Sequence, residues 1–429
     1  MHHHDDTIEL LRFSTCGSVD DGKSTLIGRL LYDSKALHED TIAAIDRSSK
    51  RAGKEELDLS LVTDGLKDER EQGITIDVAY RYFSTPKRRF IIADTPGHEQ
   101  YTRNMITGAS TAELAIILID ARKGVLVQSR RHAILASLLR IPHLIVAINK
   151  MDLVGWDEKI YNDIRAEFTD FAARLGLSDL DFIPMSALNG DNVVDRSTST
   201  PWYQGPTLMY KLETVAVGTS RNMENFRLPV QRVIRPDLDY RGFAGQIASG
   251  VVKVGDKIVS LPSGKQSTVK SIDTYDGSLP EAFAPQSVSI TLHDEIDSSR
   301  GDMLVHAHDV PHQSQEVTTT LCWLSEKPLV LNRPYWMRHN AREVKAMVSS
   351  IDFRLDINTL DRHEASEMKV NEVARVRLRL SAPIFYDAYA RNRGTGSFVL
   401  VDTGSNVTIA AGMLAAPSTE PGQGPEFAI

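Results

Sequence analysis

The stretch GSVDDGKS, Gly17 to Ser24, has the spacing GxxxxGK[ST]. That spacing suits a loop whose backbone N–H groups hold a polyphosphate. An apolar, strand-like run precedes it and a helix-like run follows, which is the context such a loop requires. The N–H groups from Ser18 through Val19, Asp20, Asp21, Gly22 and Lys23 to Ser24 are expected to ring the phosphates. Gly17 and Thr25 flank them, and the helix N-terminus adds its positive end. Lys23 is expected to reach the β- and γ-phosphate oxygens, and the Ser24 hydroxyl to ligate Mg²⁺. Two carboxylates in an anion-binding loop are tolerable because the cradle is backbone and side chains can turn away. Asp20 is expected to hold a monovalent cation near the phosphates, and Asp21 to face solvent or a partner.

DTPGH, Asp94 to His98, follows another strand-like run, Phe90–Ala93. Asp94 suits the Mg²⁺ hydration shell. Thr95 and Pro96 shape the turn, and Gly97 lets its N–H approach a γ-phosphate. His98 would then stand beside an attacking water and orient it, so His98, Lys23 and Gly97 form the expected catalytic set. NKMD, Asn149 to Asp152, follows Leu144–Ile148. Asp152 can accept hydrogen bonds from the N1–H and N2–H edge of guanine, donors that adenine lacks. Losing both costs roughly 10²–10⁴ in discrimination at the strength of charged hydrogen bonds. Asn149 would tie this loop to the phosphate loop, the Lys150 stem would lie along the base, and Met151 completes the turn. SAL, Ser186 to Leu188 with Ala187 between, can offer an N–H to guanine O6. The order of these loops, each after a strand, points to GTP with Mg²⁺.

The segment between the phosphate loop and DTPGH ends in EREQGITID. Thr75 is its expected second Mg²⁺ ligand, which makes Leu57–Thr75 a switch ordered by the γ-phosphate. VARVRLRL places Arg375, Arg377 and Arg379 on one face of a strand and Val376, Leu378 and Leu380 on the other. A solvated face or protein contact is the favoured reading of that stripe, and RNA binding the lesser one. Cys16 reads as strand core.

Strands alternate with helices in the first half, at Leu11–Thr15, Val78–Phe83, Phe90–Ala93, Leu114–Ile119, Leu144–Ile148 and Phe182–Pro184. Helices are expected at Ser24–Leu31, Arg130–Leu139, Ile160–Leu175 and Pro206–Val215. The fold class is therefore α/β, with a doubly wound, mainly parallel sheet whose ligand sits at the carboxyl ends of the strands. A polar linker at Val217–Asn225 leads to short alternating runs between turns, the pattern of small antiparallel β-barrels or sandwiches. A second break is expected at Val310–Gln315. The expected domains are 7–217 for the nucleotide-binding part, 226–312 and 316–415 for two β-barrels, and 416–429 for a tail.

With 429 residues, 41% hydrophobic and 25% charged, the chain has the composition of a multidomain globular protein. Its net charge of −8 disfavours binding nucleic acid through the whole surface. Two cysteines cannot make a disulfide framework, so a reducing, cytoplasmic compartment is expected. No run approaches the roughly 20 apolar residues of a membrane span. His2, His3 and His4 are set aside as a terminal tail.

Together the loops and the β-rich remainder resemble translation-factor GTPases of the elongation factor Tu type over nearly the whole chain. RGFAGQIASGVVKVGDKI is similar to the second-domain barrel of that superfamily. Within it, GSVDDGKSTLIGRLLYD, LKDEREQGITIDVAYRYFST, IIADTPGHEQYTRNM and RGTGSFVLVD resemble the CysN-type GTPase subunits of bacterial ATP sulfurylase. Elongation factors typically carry His after the first loop glycine and His or Ser where Asp21 stands. Ser18 and Asp21 depart from that pattern, against tRNA delivery. The resemblance implies a heterodimer or higher assembly with a smaller, CysD-type catalytic subunit that forms adenylyl sulfate and diphosphate from ATP and sulfate. GTP hydrolysis on this chain would drive that uphill step. No membrane or nucleic-acid partner is implied; the alternative reading is an elongation factor delivering aminoacyl-tRNA. Some members carry a fused adenylyl-sulfate kinase domain. No second GxxxxGK[ST] occurs up to Ile429, so that activity is not expected here.

Overall fold

The computed structural model describes residues 9–18, 20–51, 57–62, 77–97, 101–177, 179–218, 221–237, 239–356 and 359–417. The chain divides into two compact units between Thr219 and Ser220.

The first unit is a six-stranded sheet in the order β2-β3-β1-β4-β5-β6. Its strands are β1 Leu10–Cys16, β2 Ala79–Ser84, β3 Arg89–Asp94, β4 Leu114–Asp120, β5 His143–Asn149 and β6 Leu180–Pro184. All pairings are parallel except β2 with β3, which is an antiparallel edge hairpin. Every residue of β4 is buried, and β5 is buried after its first residue. Burial on both faces explains the unbroken apolar runs LAIILI and LIVAI, since neither face of these strands meets water. Cys16 is likewise buried in β1.

The helices of this unit are α1 Lys23–Asp33, α2 Glu39–Arg51, α3 Thr102–Ala109, α4 Val127–Leu138, α5 Glu158–Arg174 and α6 Leu208–Thr214. Asp157 and Thr207 cap α5 and α6 by accepting from Lys159 N and Tyr210 N. The sequence reading missed α2 and α3. Helix α2, EDTIAAIDRSSKR, is mostly polar and exposed, and few apolar positions mark its inner face.

The second unit holds two antiparallel β-barrels. In one, an open path of strands runs from Arg227–Pro229 to Arg232–Ile234, and a bridge between Arg227 and Ser249 draws the ring together. Its core includes Phe226, Phe243, Ile258 and Ile290. The other barrel runs β8-β11-β12-β7-β10-β9, with β7 His312–Trp323, β8 Pro334–His339, β9 Arg342–Leu355, β10 Val373–Tyr386, β11 Ser397–Val401 and β12 Thr408–Leu414. Pairing of β8 with β9 closes it. Val310–Gln315, expected to be a break, is strand from His312 onward. The register shifts there between Ser314 and Glu316, where the Ser314 hydroxyl donates to Glu316 O at 2.6 Å and accepts from Glu316 N at 3.1 Å. In β10, Val376, Leu378 and Leu380 point inward as their alternation requires. Arg377 pairs with Asp352 at 3.0 Å and Arg379 with Glu316 at 3.4 Å, so acidic neighbours compensate that face.

Candidate guanine-nucleotide site

Strands β1, β3, β4 and β5 run parallel, so their carboxyl ends lie along one edge of the sheet. The chain leaves β1 into Gly17–Gly22 and enters α1 at Lys23. Gly22 has φ +90°, a conformation that favours glycine, and a Cβ there would lie 2.4 Å from Asn149 Nδ2. No side chain caps α1, which leaves its first-turn N–H groups to an anion. The DTPG turn comes equally close, since a Cβ on Gly97 would lie 2.0 Å from Gly17 O. These approaches build a backbone cradle that side chains would fill. The buried Ser18 Oγ and Asp21 Oδ1 have no hydrogen-bond partner among the described residues. The donor set and these orphaned oxygens fit a phosphate group with its cation.

Asp21 corrects the expectation that it faces solvent or a partner. It is 1% exposed, and its carboxylate accepts from Ser18 N at 2.7 Å. The turn inward satisfies an N–H that was expected to join the phosphate ring. Burial pushes the Asp21 carboxyl up to about 6, against the lowering effect of the Ser18 N–H and of Lys123. Asp20 is exposed at φ +69°.

Lys23 is buried, donates to Thr95 O and lies 3.4 Å from Asp94 Oδ1. Thr95 is fully buried and donates its hydroxyl to Thr15 O at 2.7 Å, pinning the turn to β1. Pro96 is also buried, and Ser24 and Thr25 are half-buried in the first turn of α1. Val19, Thr75 and His98 lie outside the described residues, as does most of Leu57–Thr75. The start of that segment is a short 3₁₀ turn, Leu59–Val62, packed so closely on α1 that a Cβ on Gly28 would lie 2.1 Å from Leu59 O.

The base-recognition loops are tied to the phosphate loop. Asn149 donates to Asp21 O at 2.8 Å and accepts from Ala187 N at 2.9 Å, and so joins three loops through one amide. Lys150, at φ +62°, donates to Asp20 O. Asp152 is half-buried, whereas Met151 is fully buried and belongs to the core. Ser186 is buried and bridges Asp191, while Leu188 is 49% exposed. The sequence reading missed Arg29 of α1, which donates to Ala187 O at 3.2 Å and to Leu188 O. It also missed Asp120, whose only signal was a carboxylate ending a wholly apolar strand.

The chain matches the family profile described as the Elongation factor Tu GTP binding domain over residues 8–254, and the GTP-eEF1A C-terminal domain-like profile over 316–415. A bifunctional enzyme CysN/CysC of Rhodopirellula baltica is 58% identical over 95% of this chain and 63% of its own length. Sulfate adenylyltransferase subunit 1 of Alteromonas mediterranea is 54% identical over 95% of this chain and 87% of its own. The Cellvibrio japonicus protein of that name is 55% identical over 98% and 90%. This chain thus spans less than two thirds of the bifunctional relative and most of the subunit 1 relatives. It belongs to the elongation factor Tu-type GTPases, in the family of sulfate adenylyltransferase subunit 1 (CysN) proteins.

Proposed function

We propose that this chain is the GTPase subunit of a sulfate adenylyltransferase, and that its hydrolysis of GTP drives formation of adenylyl sulfate and diphosphate from ATP and sulfate on a smaller, CysD-type subunit in the cytoplasm. The observation that carries the reading is identity above 50% along nearly the whole chain with proteins named for that activity. The anhydride between phosphate and sulfate is a high-energy bond, so the reaction needs a driving step. A switch that contacts its partner differently in two nucleotide states supplies such coupling.

Within this reading the loop from Gly17 to Thr25 holds the phosphates and Lys23 neutralises their β- and γ-oxygens. Ser24, Thr75 and Asp94 would hold Mg²⁺, which when bound would neutralise negative charge on the β- and γ-phosphates. Gly97 positions the turn and His98 orients the attacking water. Asn149, Lys150, Asp152 and Ala187 select guanine. A monovalent cation at Asp20 is a further part of the proposal, and GTP hydrolysis that is the same in K⁺ and Na⁺ and after Asp20→Ala would remove it. The tRNA-carrier alternative drew on the Arg375–Arg379 stripe, and the ion pairs of Arg377 and Arg379 weaken that support. The direct test is GTP turnover by this chain, alone and with the catalytic subunit, ATP and sulfate. Turnover that rises only with the complete set supports the proposal, and turnover indifferent to them contradicts it.

A further inference from the structure

Asp120 lies outside the motifs that contact nucleotide in this reading. It ends β4, its side chain has no exposed surface, and in the parallel pairing with β5 it stands opposite Asn149. The next residue, Lys150, leaves β5 beside it with a left-handed backbone. Lys150 Nζ lies 3.1 Å from Asp120 Oδ2 and also donates to Asp20 O. Arg122 grips the same carboxylate through both of its oxygens. Its Nη2 reaches Oδ2 at 2.6 Å, and its Nε and backbone N each reach Oδ1 at 3.0 Å. Burial alone would raise the Asp120 pKa, but the donors from Arg122 and Lys150 outweigh it and hold the group at about 2. The result is a carboxylate ionised at neutral pH and held by Arg122 and Lys150 at the foot of the base-recognition loop.

A lysine stem has four rotatable bonds and a strongly hydrated tip, so it does not hold one direction unaided. Here the ammonium is fixed at two points, one on the sheet and one on the phosphate loop. We infer that Asp120 is a positioning residue for guanine nucleotide binding: its carboxylate anchors the Lys150 ammonium, so the stem and the Asn149–Asp152 turn are set for the base before the nucleotide arrives. Arg122 already gives the carboxylate three hydrogen bonds, so local packing does not by itself call for Lys150. The inference rests on the guanine-site reading and adds to it a residue outside the nucleotide loops.

Release of a fluorescent GDP, chased with excess GDP, tests it in wild type, Asp120→Asn, Lys150→Met and the double variant. Methionine keeps the stem and removes the ammonium. Lys150→Met and Asp120→Asn should each speed release roughly tenfold, and in the Lys150→Met background Asp120→Asn should add less than about twofold. Equal factors in both backgrounds, or an unchanged rate in Asp120→Asn, would overturn the inference while leaving the site reading intact. An unchanged rate in Lys150→Met would overturn both. Should Asp120→Asn not fold, Asp120→Ser, smaller and able to accept from Arg122 N, is held to the same outcomes.

Discussion

The two aspartates of GSVDDGKS have opposite fates. Asp20 projects outward, and Asp21 turns in to bond the Ser18 N–H. An Asp whose folded pKa is raised binds protons more readily folded than unfolded. Its contribution to stability is therefore greatest below the unfolded value near 4 and is lost as pH rises through about 6. Asp21→Asn keeps an acceptor for Ser18 N without the buried charge. Thermal unfolding should show the variant matching wild type near pH 4 and more stable by about 2–3 kcal/mol above pH 7. A gap that is the same at both pH values would contradict the account. His98 belongs at this scale too. His98→Ala should slow GTP hydrolysis by roughly 10²-fold or more with GTP affinity nearly intact, and an unchanged rate would remove it from its assigned role.

At the scale of elements, the second unit carries a buried charge cluster. Arg227 is 1% exposed and pairs with Asp387 at 3.0 Å and Asp309 at 3.1 Å. Asp387 also accepts from Thr395 Oγ1 at 2.7 Å, and Asn392 donates to Ser249 at 2.8 Å, so the RNRGTG turn before β11 is built into the cluster. Arg227 lies on the first barrel of this unit and Asp387 follows β10 of the other. Arg227→Ala should cost about 3–5 kcal/mol in urea unfolding because it strands Asp387, while Arg227→Met with Asp387→Leu should recover most of that loss. A loss below about 1 kcal/mol for the single change would contradict the pairing. The sequence made the strands of the first sheet legible because burial on both faces writes continuous apolar runs. It hid α2, whose exposed surface is nearly all polar. It also hid Arg29 and Asp120, which act on loops 158 residues and 30 residues away and so have no local spacing to betray them. The inward turn of Asp21 was illegible for a related reason, since a type and a position do not say where a side chain points.

At the scale of the molecule, the motif order made the α/β GTPase fold and its β-barrel continuation legible, and the family profiles over 8–254 and 316–415 agree. The proposed coupling of GTP turnover to another subunit's chemistry has no local signature, because it would be a difference between two states seen by a partner. Its direct test is the amount of adenylyl sulfate formed at equilibrium from ATP and sulfate by the assembled subunits with Mg²⁺, compared without GTP, with GTP and with a non-hydrolysable GTP analogue. The account predicts that GTP alone lifts adenylyl sulfate above the level that ATP and sulfate reach by themselves. The same level under all three conditions would contradict it.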